Sequence, residues 1–134
     1  VAKKILKPVD TWNPDPKKGW AFSEGVEASG KSLVFVSGQG PFDANGEIVA
    51  RGDVKGQTRQ TLENMKKVLE EAHCTLDDVV KVTVYLRRIA DRPAVAEVRM
   101  EYFKQNLPAS TLVGVELSLQ DMLVEIEGIA VSED

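Results

Sequence analysis

The chain has 134 residues, 43% of them hydrophobic, and carries a net charge of −4 at neutral pH. That length suits a single domain, here taken as 1–134, able to bury a core of useful size. The acidic balance argues against general nucleic-acid binding, whose affinity comes largely from neutralised phosphates.

No apolar run approaches the ~20 residues that span a bilayer. The start of the chain, V-A-K-K-I-L-K-P, has basic residues but no apolar stretch behind them, unlike a secretory leader. A soluble, cytoplasmic protein is expected. Cys74 is the only cysteine and His73 the only histidine, which excludes an intramolecular disulfide and a multi-cysteine metal site. Neither a metal nor a cofactor is expected. The adjacent pair could be taken for a base and a nucleophile. Side chains one residue apart on a helix point in different directions, however, and packing or capping at a helix end is the reading adopted.

Pro8, Pro14 and Pro16 mark residues 1–19 as an extended arm without regular structure, flanked by Trp12 and Trp20. Aromatic anchors of this kind pin an arm to the core, or line a pocket or subunit contact. Phe22–Ala28 reads as a strand, Ser29-Gly30-Lys31 as a turn, and Ser32–Ser37 as the returning strand. Gly38-Gln39-Gly40-Pro41 reads as a turn that breaks the ladder. Asp53 is placed to cap a first helix, whose inward stripe is Thr58, Leu62, Met65, Leu69 and Ala72.

Thr75 and Asp78 form a capped single turn. Val80, Val82, Val84 and Leu86 then alternate with Lys81, Thr83, Tyr85 and Arg87. Asp91 and Pro93 open a second helix running to about Gln105, with Val95, Val98 and Tyr102 inward. Arg87, Arg88, Arg92 and Arg99 are read as a modest surface patch.

Two strands close the chain, Ser110–Leu117 and Met122–Val131, joined by a polar turn at Ser118–Asp121. In the second, Val124, Ile126, Gly128 and Ala130 face one way and Leu123, Glu125, Glu127 and Ile129 the other. Two carboxylates roughly 7 Å apart on one sheet face need water, a positive partner or a task. The order β-β-α-β-α-β-β predicts an α+β two-layer sandwich with both helices on one side. The other side would carry Thr83, Tyr85, Arg87, Ser110, Leu112, Leu123, Glu125 and Ile129. That face is too mixed for solvent alone, and a closed homo-oligomer would cover it.

The tail P-A-S-T-L-V followed by L-V-E-I-E-G-I-A-V resembles the C-terminal signature of the YjgF/RidA family. S-G-Q-G-P at 37–41, Q-T-R-Q-T-L-E-N at 57–64 and L-D-D-V-V-K-V-T-V-Y-L at 76–86 match the same pattern in the same order. The resemblance covers about Phe22 to Val131. It implies a chorismate-mutase-like fold, a homotrimer with small-metabolite clefts between subunits, and enamine or imine deaminase chemistry with no cofactor. By the same resemblance, Glu125 would help water add to a C=N bond, and Ser37, Gly38 and Gln39 would lie beside the cleft.

Phe22 stands where a tyrosine is often found. Ser110 stands where the deaminase members carry an arginine that grips the substrate carboxylate. A serine cannot reproduce that bidentate, charged contact, so Arg87 and Arg51 become the alternative cations of the cleft, and Ser110, Phe22, Tyr85 and Arg87 are expected among its substrate-binding residues. A trimer that binds a metabolite without converting it is the other reading. A ribonuclease or translation inhibitor, a label some family members carry, finds little support in an acidic chain with one histidine.

Overall fold

The structure, a computed structural model, describes residues 2–134. Eight strands and α-helices are present among the described residues: β1 (Ala2–Leu6), β2 (Gly25–Ser29), β3 (Ser32–Gln39), α1 (Val54–Glu71), β4 (Val79–Leu86), α2 (Arg92–Tyr102), β5 (Ala109–Gly114) and β6 (Val124–Ser132). A four-stranded sheet in the order β3-β6-β4-β5 carries both helices on one side, and β1 and β2 form a separate antiparallel pair. The α+β two-layer architecture is the one the pattern predicts.

The buried side follows from strand alternation. Val82, Val84 and Leu86 of β4 and Val124, Ile126 and Ala130 of β6 point at Leu62, Met65 and Leu69 of α1 and Val95 and Val98 of α2. Each of these buried Val, Leu, Ile and Met side chains contributes roughly 1.5–3 kcal/mol over an exposed one, and Ala130 less. Gly128 serves this packing. A Cβ there would stand 3.3 Å from the Lys81 carbonyl and 3.4 Å from the Met65 methyl, so glycine lets α1 settle close to the sheet.

Capping follows the sequence closely. Asp53 accepts from the Gly56 amide at 3.1 Å, and Thr75 and Asp78 close a reciprocal capping box. Asp91 precedes α2 without giving it a side-chain cap.

Strand partners differ from expectation in three places. Residues 1–19 are not without regular structure: Ala2–Leu6 is a strand whose partner is β2, and Pro16–Lys18 a single 3-10 turn (residue 1 lies outside the described residues). Lys3 fixes that strand by donating to the carbonyls of Val79 at 2.7 Å and Asp77 at 3.2 Å. Because β1 takes β2, the turn at Ser29–Lys31 does not close a hairpin ladder, and β3 pairs with β6.

β5 and β6 are likewise not a hairpin. β5 runs parallel to β4 at the sheet edge, as a strand reached through a helical crossover can, and residues 115–123 carry the chain over to β6, on the far side of β4. Nor does Gly38 start a turn. β3 continues through Gln39 across a register shift between Val36 and Gln39, the mark of a bulge. Finally, α2 ends at Tyr102 and not near Gln105, because Phe103 turns to extended backbone and drops its ring into the core.

Candidate functional site

Two groups of side chains stand out, on opposite sides of the sheet. The first lies on the face away from the helices. Cross-strand register sets Tyr85 opposite Glu125 and Thr83 opposite Glu127. The Tyr85 hydroxyl donates to Glu127 Oε1 at 3.0 Å, which holds the phenol above its ordinary pKa, chiefly through that bond. Glu125 is half-buried, and among the described residues no hydrogen-bond donor or cation holds its carboxylate. Gly38 lies directly beside it, and a Cβ at that position would overlap the Glu125 carboxyl group. The bulge in β3 therefore leaves a gap that Glu125 fills. Gln39 turns its amide back to the Ser37 carbonyl at 3.1 Å, so the S-G-Q segment forms one wall beside Glu125.

Residues 115–118, the start of the segment 115–123, frame the same groove, along with Tyr85 and Glu127. Two polar residues, Arg87 half-buried and Gln57 fully buried, fix the segment 115–123. Arg87 donates to the carbonyls of Met122 at 2.7 Å, Leu119 at 2.8 Å and Leu117 at 3.3 Å. Gln57, fully buried on α1, donates to the Asp121 carbonyl at 2.9 Å and accepts from the Leu123 amide at 2.8 Å. Arg87 thus holds the loop backbone. Arg51 pairs with Asp121 in an exposed ion pair.

The second group lies on the helix side, where β5 register sets Ser110 opposite Val82 and Leu112 opposite Val84. Val82 and Val84 are core residues, so Ser110 and Leu112 do not share the Glu125 face, contrary to the alternation read from sequence. A short parallel bridge, Ser23 to Ala109, lays the segment ahead of β2 alongside β5 and brings Phe22 to Ser110. Between them lies a cavity of about 250 Å³ lined by Trp20, Phe22, Arg92, Arg99, Ser110 and Leu112, among others. Trp12 and Trp20 meet edge to face at 5.3 Å, and Phe22 stands 6.5 Å from Trp20.

Arg99 is misplaced by the sequence reading as well. It is 3% exposed, not part of a surface patch, and its Nη2 donates to Ser110 Oγ at 3.1 Å. Burial alone pulls its guanidinium down to about 10, leaving it cationic at neutral pH. The signal was in the helix period: Arg99 lies four residues after Val95 and three before Tyr102, on the inward stripe. His73 and Cys74 follow α1 away from both groups. Cys74 is buried, and burial raises its thiol pKa.

The family model described as Endoribonuclease L-PSP matches residues 14–132. A RutC family protein of Pyrococcus horikoshii is 42% identical over 118 residues, 88% of this chain and 92% of its own. The chain belongs to the YjgF/RidA family. Other YjgF/RidA relatives carry activity names. A 3-aminoacrylate deaminase RutC of Acinetobacter baylyi is 41% identical, covering 74% of this chain and 79% of its own. A 2-iminobutanoate/2-iminopropanoate deaminase of Dermatophagoides farinae is 33% identical, covering 84% and 86%. Among solved structures, a conserved Rid family protein from Yersinia pestis superposes with a TM-score of 0.85 at 31% identity, covering 96% of this chain and 98% of its own. Relatives of this YjgF/RidA chain thus support imine deaminase-like function in general. Among its described residues, no helix is long and apolar enough to cross a membrane.

Proposed function

We propose that this chain hydrolyses a small reactive enamine or imine in a cleft completed by a neighbouring copy of itself. The observation that carries the reading is Glu125, a half-buried carboxylate without a partner cation among the described residues, seated against the Gly38 backbone. An imine carbon is already electrophilic, so the protein has only to place a water and manage one proton. Glu125 takes a proton from the water as the C–O bond forms and returns it to the nitrogen. The carbinolamine then collapses: Glu125 takes the hydroxyl proton and passes it to the nitrogen as the C=O bond forms and the C–N bond breaks, and ammonia and a ketone leave. An enamine enters the same path once its carbon has been protonated.

The sheet face around Glu125 supports the second copy. Leu33 is 64% exposed and Phe35 69% exposed on β3, beside Ile129 of β6. Apolar surface of that kind marks an interaction site, and a closed ring of three copies would cover it on every subunit while excluding water from the Glu125 groove. Because Ser110 and Glu125 point to opposite sides of one sheet, a cleft holding both must draw them from different subunits.

The test is ammonia and keto-acid release from 2-aminoacrylate generated in situ, with mass measured by sedimentation. The wild-type chain is expected to outpace a buffer blank as a particle of three chains. Glu125→Gln is expected to lose about a hundredfold or more in rate at unchanged mass. A wild type no faster than the blank would sink the enzymatic reading and leave a trimer that binds metabolites without converting them.

A further inference from the structure

Arg99 is an unusual resident of a protein interior. A buried charge is costly unless paired, and the described residues give this guanidinium no carboxylate. The Ser110 hydroxyl is its single hydrogen-bond partner among them, against five N–H donors in the group. Two exposed arginines, by contrast, do find acids: Arg51 pairs with Asp121, and Arg59 with Glu101.

The cavity at Arg99 is correspondingly one-sided. On a chain of net charge −4, its lining contains two arginines and no acid. Arg92 is already engaged, donating to the Gly19 carbonyl at 3.1 Å and lying 4.0 Å over the Trp20 ring. Arg99 retains spare donors. Its anchor is Ser110, the position where deaminases of the family place their own arginine; a small side chain on the strand leaves room for a guanidinium arriving from α2.

We infer that Arg99 supplies the carboxylate-binding cation of this chain, gripping from the helix a small carboxylic acid whose carbon skeleton lies against Trp20 and Phe22. The inference rests on the deaminase reading for the class of ligand. It assigns a residue to the role that Ser110 leaves vacant. A planar guanidinium fork matches a carboxylate in two parallel hydrogen bonds, and the aromatic wall takes the apolar remainder of the ligand. The cavity volume of about 250 Å³ limits that ligand to a small metabolite. The arrangement also explains why a cation is kept where an apolar side chain would pack with less penalty.

The test is calorimetric binding of 2-oxobutanoate, and of its uncharged amide, to the full-length wild type, Arg99→Met, Arg99→Lys and Glu125→Gln, with denaturant unfolding of each. The wild type and Glu125→Gln are expected to bind the acid saturably and the amide at least tenfold more weakly. Arg99→Met is expected to lose tenfold or more for the acid with no change for the amide. Arg99→Lys should fall between, because it keeps the charge and loses the fork. The unfolding midpoint of Arg99→Met should equal or exceed that of wild type. Acid binding that is undiminished in Arg99→Met, no acid binding by wild type, or a lowered Arg99→Met midpoint would each overturn the assignment, the last by making Arg99 a structural donor. The two readings separate cleanly: Arg99-dependent acid binding without turnover refutes the deaminase alone, and turnover that survives in Arg99→Met refutes the assignment alone.

Discussion

Gln57 joins α1 to the segment that delivers Glu125, and replacing it with leucine isolates that connection. The side chain is fully buried, with its amide nitrogen on the Asp121 carbonyl and its oxygen accepting from the Leu123 amide. Leucine matches its size well enough to avoid a large cavity. It leaves one backbone donor and one backbone acceptor unpaired, each worth about 1–3 kcal/mol when stranded away from water. Relaxation of the loop toward solvent would recover part of that, so about 3 kcal/mol is expected for the pair. With roughly 2.1 cal/mol/K of unfolding entropy per residue, a chain of 134 residues loses about 11 °C in Tm. Urea titration of Gln57→Leu should show a lower midpoint at unchanged slope. Turnover at a temperature where the variant is fully folded should fall as well, because the strand start that presents Glu125 has lost its tether. A variant within 0.5 kcal/mol of wild type would refute the claim that this side chain holds the loop.

Gly38→Ala places a methyl group where the Glu125 carboxyl group lies, and deaminase turnover should drop by about tenfold or more with little loss of fold, as expected for a misplaced reacting group. Ser110→Arg restores the residue found in deaminases of the family but sets a second guanidinium against Arg99; thermal unfolding should show a loss of a few kcal/mol, and turnover no gain. His73 occupies left-handed backbone at φ 57° just past the end of α1, where glycine is the usual choice, so His73→Gly should stabilise the fold by about 1 kcal/mol, read as a higher urea midpoint at unchanged slope. Burial, then a hydrogen bond with Glu63, pushes the Tyr102 phenol up to about 12 from 10.0. The folded state therefore keeps a proton that the unfolded chain releases. Stability should decline between pH 10 and 12, and Tyr102→Phe should flatten that decline in a pH series of melts.

Local chemistry was the legible part of this sequence. Asp53, the Thr75–Asp78 box and the alternation in β6 and in β4 from Val82 onward each depend on residues within a turn or a strand, and each is found where the pattern puts it, whereas at the start of β4 Val79 takes the buried place that alternation gave to Val80. Pairing was illegible for the opposite reason. Whether Ser32–Gln39 lies beside β2 or beside β6 is decided by partners a hundred residues apart, and nothing in either strand encodes the choice. Ser110 shows the consequence for a site. Alternation divides β5 into two sets, but only its register against β4 says that Ser110 joins Val82 and not Tyr85. Arg99 was hidden by its residue type. A charge near other charges reads as surface, although its position on the helix shared the inward stripe.

The aromatic edge of the Arg99 cavity has a practical consequence. The chain contains two tryptophans, and they are Trp20 in the cavity wall and Trp12 packed edge-on against it, 61% exposed. Its tryptophan emission therefore arises from this one corner of the molecule. Any occupant that displaces solvent from the Trp20 ring, or shifts Arg92 above it, will alter that emission without a label. The same signal cannot be diluted by tryptophans elsewhere, so ligand screening needs no more than the native protein and a fluorimeter.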